Sequence, residues 1–370
     1  MKKILFVGPF PEGNKGLNGQ NIANQTLYDG LKENYDVYKI NTLKELEFKN
    51  KKEQGKFKIK KFLKIFIYLI KEIYQILFNK YDVIYMTPGQ SFLGFMRFSP
   101  YMLCSFIKSI PCYIHIHGGN FRNMYDNQNL LKKKVLSFYL KRLNGVIVLG
   151  NSLKEMFKGI INEDKIFVCE NGVQDEIIAS EEEIKEKIKN FNFRKKRKVL
   201  YLSNLMREKG ILDVLESSKE LSEEKFEIHL AGAIEPCIKI EIEKYLKEYP
   251  NKIFYYGIVK GNKKRDLFLK SDIFILPTYY ENEGQPISIL EAYVNGCSVI
   301  TTNHAGIKDI FDDNINGKYC LAKNKESIIE SLNYLKDKNY IEKNYYFSKE
   351  RFSSKSFIKR VEYIIGEKNI

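Results

Sequence analysis

The residues best suited to chemistry sit in Pro277-Thr278-Tyr279-Tyr280-Glu281-Asn282-Glu283-Gly284-Gln285-Pro286-Ile287-Ser288-Ile289-Leu290-Glu291. An apolar run at 273–276 precedes them, and a helical pattern reaching Gly296 follows. Pro286 suits the first helical position and Gly296 the stop. A helix start leaves backbone N–H groups without intrahelical partners, here those of Ile287 and Ser288, and they attract an anion such as a diphosphate. Glu291 lies about 7.5 Å beyond Pro286 along a helix axis, comparable to the reach of a diphosphate. Glu283 in the loop and Glu291 in the helix are thus spaced to grip the two ends of one ligand. Carboxylates repel phosphates, so their natural partners are sugar and ribose hydroxyls. The plain alternative is a strand-loop-helix with two merely exposed glutamates.

Three further places carry suitable residues. Leu202-Ser203-Asn204-Leu205-Met206-Arg207-Glu208-Lys209-Gly210 follows an apolar run, and Lys209 is a point charge of the kind that holds phosphate. Gly13, Gly16 and Gly19 recur at every third position after the first apolar run, with Asn18 placed as a helix cap. The pattern is not Gly-x-Gly-x-x-Gly, which disfavours a dinucleotide fold. His115 and His117, two of four histidines, alternate onto one side of a strand that ends at a glycine pair. Strand histidines are most often satisfied core residues, whereas two at a carboxyl end suggest a site.

Together these residues resemble the retaining glycosyltransferases of family 4, over nearly the whole chain. The pair Glu283 and Glu291, with seven residues between them, is similar to that family's signature. The resemblance implies that Glu291 binds the nucleotide ribose, while Glu283, Gly284 and the backbone at Gln285, Pro286 and Ile287 hold the donor sugar and diphosphate. It also implies that Lys209 binds phosphate, that Gly19 packs against the diphosphate, and that His117 hydrogen-bonds the transferred sugar. The family's arginine position is Asn204 here, and Arg207 is the candidate to replace that charge. Tyr255-Tyr256-Gly257 resembles the strand that meets the nucleotide base. The implied fold is α/β of the GT-B architecture, two doubly wound Rossmann-like domains facing across a cleft. The implied reaction moves a sugar from a UDP- or GDP-sugar to a hydroxyl of a lipid-linked or saccharide acceptor, with retention. No cofactor and no bound metal are expected. A catalytically silent GT-B subunit supporting a partner transferase and a nucleotide-sugar epimerase are the alternatives.

The elements that must position these residues are legible as short β-branched and aromatic runs separated by helical patterns. They fall at 4–7, 37–40, 83–86, 112–116, 146–149 and 166–169, then at 199–202, 226–230, 253–256, 273–276 and 298–301. Such alternation predicts parallel sheets covered on both faces, which bind ligands beyond the carboxyl ends of their strands. The charged stretch 180–198 shows no core pattern, so the expected domains are 1–185 and 195–349, with a final helix in 350–370 crossing back onto the first.

At 370 residues two domains are the default. The 61 basic and 46 acidic residues leave a net charge of +15, which attracts anions in general or reflects only a lysine-rich surface. Nucleic-acid motifs and Trp are both absent from the sequence, so no nucleic-acid partner is expected. Six scattered cysteines without C-x-x-C spacing read as small hydrophobes of a reducing compartment. The opening apolar run stops at Gly8-Pro9 and reads as a strand rather than a signal peptide, so a cytoplasmic place is expected. Residues 49–64 carry eight lysines and one glutamate, and an apolar, aromatic run continues to Phe78. Segment 49–78 therefore reads either as a basic amphipathic helix on an anionic inner membrane face or as an ordinary helix covering the sheet.

Overall fold

The computed structural model describes residues 1–13, 18–43 and 59–366. The chain divides into two compact units, Met1–Asn171 with Phe357–Ile370, and Gly172–Ser356.

In the first unit β1 (Lys3–Gly8), β2 (Asp36–Asn41), β3 (Val83–Met86), β4 (Cys112–Ile116), β5 (Gly145–Val148) and β6 (Ile166–Val168) form one parallel sheet in the order β2-β1-β3-β4-β5-β6. Four of the six strands are nearly or wholly buried along their length, as unbroken apolar runs require when helices cover both faces. The chain steps from β1 outward to β2, then reverses to β3 on the other side of β1. That reversal opens a crevice at the carboxyl ends of β1 and β3. There Gln20 donates to the Thr87 carbonyl at 2.9 Å, and Asn24 donates to the Thr87 hydroxyl at 2.8 Å. Asn18 caps helix Gly19–Leu31 as expected, its side chain accepting from Asn21 N at 2.9 Å. Gly16 and the lysine-rich 49–58 lie outside the described residues.

In the second unit β7 (Arg197–Leu202), β8 (Phe226–Ala231), β9 (Ile253–Tyr255), β10 (Ile273–Leu276), β11 (Ser298–Thr301) and β12 (Gly317–Tyr319) form a second parallel sheet, ordered β12-β11-β10-β7-β8-β9. Here the reversal falls between β7 and β10. All eleven expected strands are present. The twelfth, β12, has only Gly-Lys-Tyr and no apolar run to announce it. A Cβ on Gly317 would stand 1.8 Å from the Val299 carbonyl oxygen, so glycine is what lets this edge strand close on β11.

The domain boundary differs from the expected one. The division falls at 171/172, and residues 181–193, within the charged stretch that showed no core pattern, form a helix of the second unit. A reciprocal capping box between Ser180 and Glu183 starts it. Ile184 and Phe191 pack with Ala179, Ile341 and Tyr345, and all the charges but Lys187 lie toward the outer side. Lys187 is buried and donates to the carbonyls of Phe268 (3.0 Å) and Asn295 (2.6 Å). The last helix, Ser354–Gly366, counts with the first unit from Phe357 onward. Among the described residues no helix is long and apolar enough to cross a membrane.

Candidate functional site

The second unit concentrates the candidate residues at its strand reversal. The loop after β7 and the loop after β10 emerge side by side there, and backbone bonds join them: Tyr279 N donates to the Glu208 carbonyl at 2.8 Å. Gly210, at φ 74°, lies so close that a Cβ would meet the Pro277 carbonyl oxygen at 2.4 Å. Left-handed backbone without a side chain is what this approach demands. The buried Tyr201 hydroxyl reaches the Lys209 carbonyl at 3.2 Å and steadies the loop from beneath.

This arrangement brings Lys209 and Glu283 together. The Lys209 ammonium stands 3.2 Å from Glu283 Oε2, with the two side chains 16% and 9% exposed. Thr278 Oγ1 lies 3.3 Å from the same carboxylate oxygen. The turn carrying Glu283 closes by its own N–H onto the Tyr280 carbonyl at 2.9 Å. From the loop after β11, His304 Nε2 meets that same carbonyl at 2.8 Å and Gly306 N donates to Gly284 O at 3.0 Å. Gly284, Gln285, Pro286 and Ile287 are all buried.

Pro286 stands one place earlier than expected. It is the cap residue in extended conformation, and the helix runs Ile287–Tyr293. The offset follows from the residue's fixed φ, which suits either side of a helix start. Glu291 on that helix is 1% exposed, and its carboxylate is ion-paired with Lys264 of helix Gly261–Lys270. Burial raises the Glu291 carboxyl above its ordinary value, and Lys264 pulls the other way. Lys264 and His304 had no sequence signal: each lies outside a motif and enters through the fold, while Thr278 sits inside the quoted stretch without a role assigned to it.

Two expectations receive no support from the geometry. Arg207 pairs with Glu241 at 2.8 Å, both side chains about half exposed at 54% and 49%, rather than turning to the Lys209 and Glu283 pair. Asn204 is exposed, and its carbonyl receives the Tyr201 hydroxyl at 3.4 Å.

In the first unit His115 and His117 do share one side, their ring centroids 4.2 Å apart. His115 is fully buried, with Nδ1 2.6 Å from the Tyr85 hydroxyl, as a structural histidine should be. His117 follows the end of β4 and has its pKa lowered to about 4 by burial, against which an Asn171 hydrogen bond works. The imidazole is therefore neutral throughout the physiological range. A folded pKa below the unfolded value of about 6.5 means that stability from this group is full above pH 6.5 and drains away as pH falls toward 4. Imidazole NMR across that range should show a ring titrating at about pH 4, its signal lost in His117→Gln; a midpoint near 6.5 for that signal would contradict the burial. Gly19 opens helix Gly19–Leu31 beside the β1/β3 reversal. Among the described residues no three His, Cys, Asp or Glu are grouped to hold a metal ion. Five of the six cysteines are buried, and Cys237 is exposed.

Residues 182–352 match the family model for glycosyl transferases group 1. This part of the chain is a glycosyltransferase group 1 domain. The matched residues include both loops of the strand reversal, Lys264 and Glu291. The chain is 28% identical over 261 residues to an uncharacterized glycosyltransferase of Methanocaldococcus jannaschii, covering 68% of this chain and 65% of that protein. It is 26% identical over 261 residues to the Escherichia coli UDP-Gal:alpha-D-GlcNAc-diphosphoundecaprenol alpha-1,3-galactosyltransferase, covering 67% of this chain and 61% of that one. The match thus spans somewhat under two thirds of each relative. In fold the chain resembles the GT-B structure of Anabaena HepE solved with UDP-glucose, with a TM-score of 0.71, 14% identity and 98% of both chains covered. Both sheets of the chain have the parallel, doubly wound order of that architecture.

Proposed function

We propose that the chain is a retaining transferase of family 4 that moves a sugar from a nucleoside diphosphate sugar, UDP- or GDP-linked, to an acceptor hydroxyl in cell-surface polysaccharide or glycolipid assembly. The observation that carries this reading is the Lys209–Glu283 pair at the β7/β10 reversal, beside the helix that bears Glu291. In it the Lys209 ammonium and the N–H groups at the start of helix Ile287–Tyr293 stabilise charge that grows on the departing diphosphate. Glu283 turns to donor-sugar hydroxyls and Glu291 to the ribose. In the first unit, neutral His117 hydrogen-bonds the transferred sugar and Gly19 approaches the diphosphate. No metal is assigned a part. The donor class agrees with the UDP-glucose bound to the Anabaena neighbour, and a lipid-linked acceptor with the name of the E. coli relative. A lipid-linked acceptor also suits a peripheral place on the inner membrane face, reached through segment 49–78.

A panel of UDP- and GDP-sugars tests the reading, scored by thermal stabilisation and by donor hydrolysis. One sugar is expected to stabilise and to be turned over, with the anomeric configuration kept in the product. No turnover by the purified protein would instead mark a silent subunit, and an epimerised donor would mark an epimerase.

A further inference from the structure

Three helices of the first unit lie on one face of its sheet: Ile59–Phe78 between β2 and β3, Ser99–Lys108 between β3 and β4, and Leu130–Arg142 between β4 and β5. All three crossovers step the same way along the strand order, so right-handed connections put them on a common side. Their packing agrees. Lys108 donates to the carbonyls of Ile76, Leu77 and Asn79 at 3.0, 2.9 and 2.6 Å, and the Phe106 and Tyr139 rings are 6.3 Å apart.

The outer surface of this layer is unusual for a soluble face. On the first helix Ile67, Ile70, Tyr74 and Phe78 are 50%, 49%, 60% and 70% exposed. On the second, Ile107 is 75% exposed, and on the third Leu130 and Leu131 are 79% and 72% exposed. Large apolar side chains exposed on three adjoining helices mark a candidate interaction surface. Its charge is one-sided. The first helix exposes Lys71, and the third exposes Lys132, Lys134, Lys141 and Arg142, with Lys133 half-buried; Lys108 of the second is engaged by the carbonyls named above. Glu72 is the sole acid on the three helices, and it receives the Tyr101 hydroxyl from within the layer. Among the described side chains six cations therefore stand against one satisfied carboxylate.

We infer that this three-helix layer is a docking face for an anionic lipid bilayer, the apolar side chains entering the interface and the lysines meeting lipid phosphates. The inference extends the membrane reading above from segment 49–78 to three elements, and it stands whether or not sugar is transferred. A second copy of the chain is a poor occupant, because like faces would bring cations together. Nucleic acid is a poor one too, because its phosphates offer nothing to exposed Ile and Leu. A bilayer interface satisfies both features at once.

Co-sedimentation of the full chain with vesicles tests this, without donor present. The protein should pellet with phosphatidylglycerol/phosphatidylethanolamine vesicles at low salt, pellet less at high salt, and stay in solution with phosphatidylcholine alone. The exposed triple variant Lys132→Glu/Lys134→Glu/Lys141→Glu should lower the partition coefficient by about a hundred-fold or more. Ile107→Ser/Leu131→Ser should weaken the binding that survives high salt. Melting curves matching wild type exclude unfolding as the cause; a variant that melts early is replaced by Lys134→Gln/Lys141→Gln, expected to shift binding in the same direction. Wild-type protein that ignores anionic vesicles, or binds duplex DNA in their place, overturns the inference. So does a charge-reversed variant that pellets like wild type.

Discussion

Glu291→Leu combined with Lys264→Met should give a folded protein that no longer turns over a nucleotide sugar, whereas Glu291→Leu alone should be both inactive and badly destabilised. The two side chains form a buried ion pair, 2% and 12% exposed. Removing one partner strands a charge in a poorly solvated place and costs about 3–5 kcal/mol. Replacing both by apolar groups of similar size is often neutral. Urea unfolding and donor turnover, measured on the same preparations, separate the two roles. A double variant that still processes donor at the wild-type rate would remove Glu291 from the ribose. A single variant as stable as wild type would show that the pair contributes little. Lys264→Met alone has its own signature. Its loss lets burial raise the Glu291 carboxyl further. A folded pKa above the unfolded value of about 4.3 contributes stability that is full below pH 4.3 and is lost as pH rises through the folded pKa. That variant should therefore weaken toward neutral pH, opposite to ordinary acid unfolding.

Lys209→Met should lower donor turnover by about 100- to 1000-fold, the range for losing one preorganised group aimed at developing charge. The fall should appear mainly in kcat, because the diphosphate gains charge as the bond to the sugar breaks. Lys209→Arg should recover part of the rate, since it keeps the charge but changes its shape. Stability should change less than for Glu291, because Glu283 keeps the Thr278 hydroxyl 3.3 Å away. Steady-state donor hydrolysis is the measurement. Turnover within about three-fold of wild type would place this cation away from the leaving group.

Strands were the most legible part of the fold, because each is an apolar run between turn residues. β12 was not, since its place depends on how closely Gly317 approaches Val299 rather than on side-chain type. The helix Glu181–Phe193 was misread because its charges dominate the composition, while the apolar positions Ile184, Ile188 and Phe191 make a thin stripe at helical spacing. At the site, Lys209, Glu283 and Glu291 could be picked out because each sits in a loop or helix start after a strand. Their partners could not. Lys264 reaches Glu291 from another helix, and the contact exists only once both have packed beside β10. Arg207 misled for the converse reason: nearness in sequence to Lys209 is no guide to direction in a turn of three residues.

The 3.2 Å contact between Lys209 and Glu283 has a bearing on discrimination in a cell crowded with free orthophosphate. An incoming anion does not meet a bare ammonium there. It must compete with a counter-ion tethered to the same scaffold, present at high effective concentration whatever the surrounding solution holds. Orthophosphate can displace that carboxylate only by leaving it buried with no cation against it. A molecule that presents an anion to the lysine and hydroxyls to the glutamate satisfies both at once, so the exchange selects for ligands that carry the two groups together.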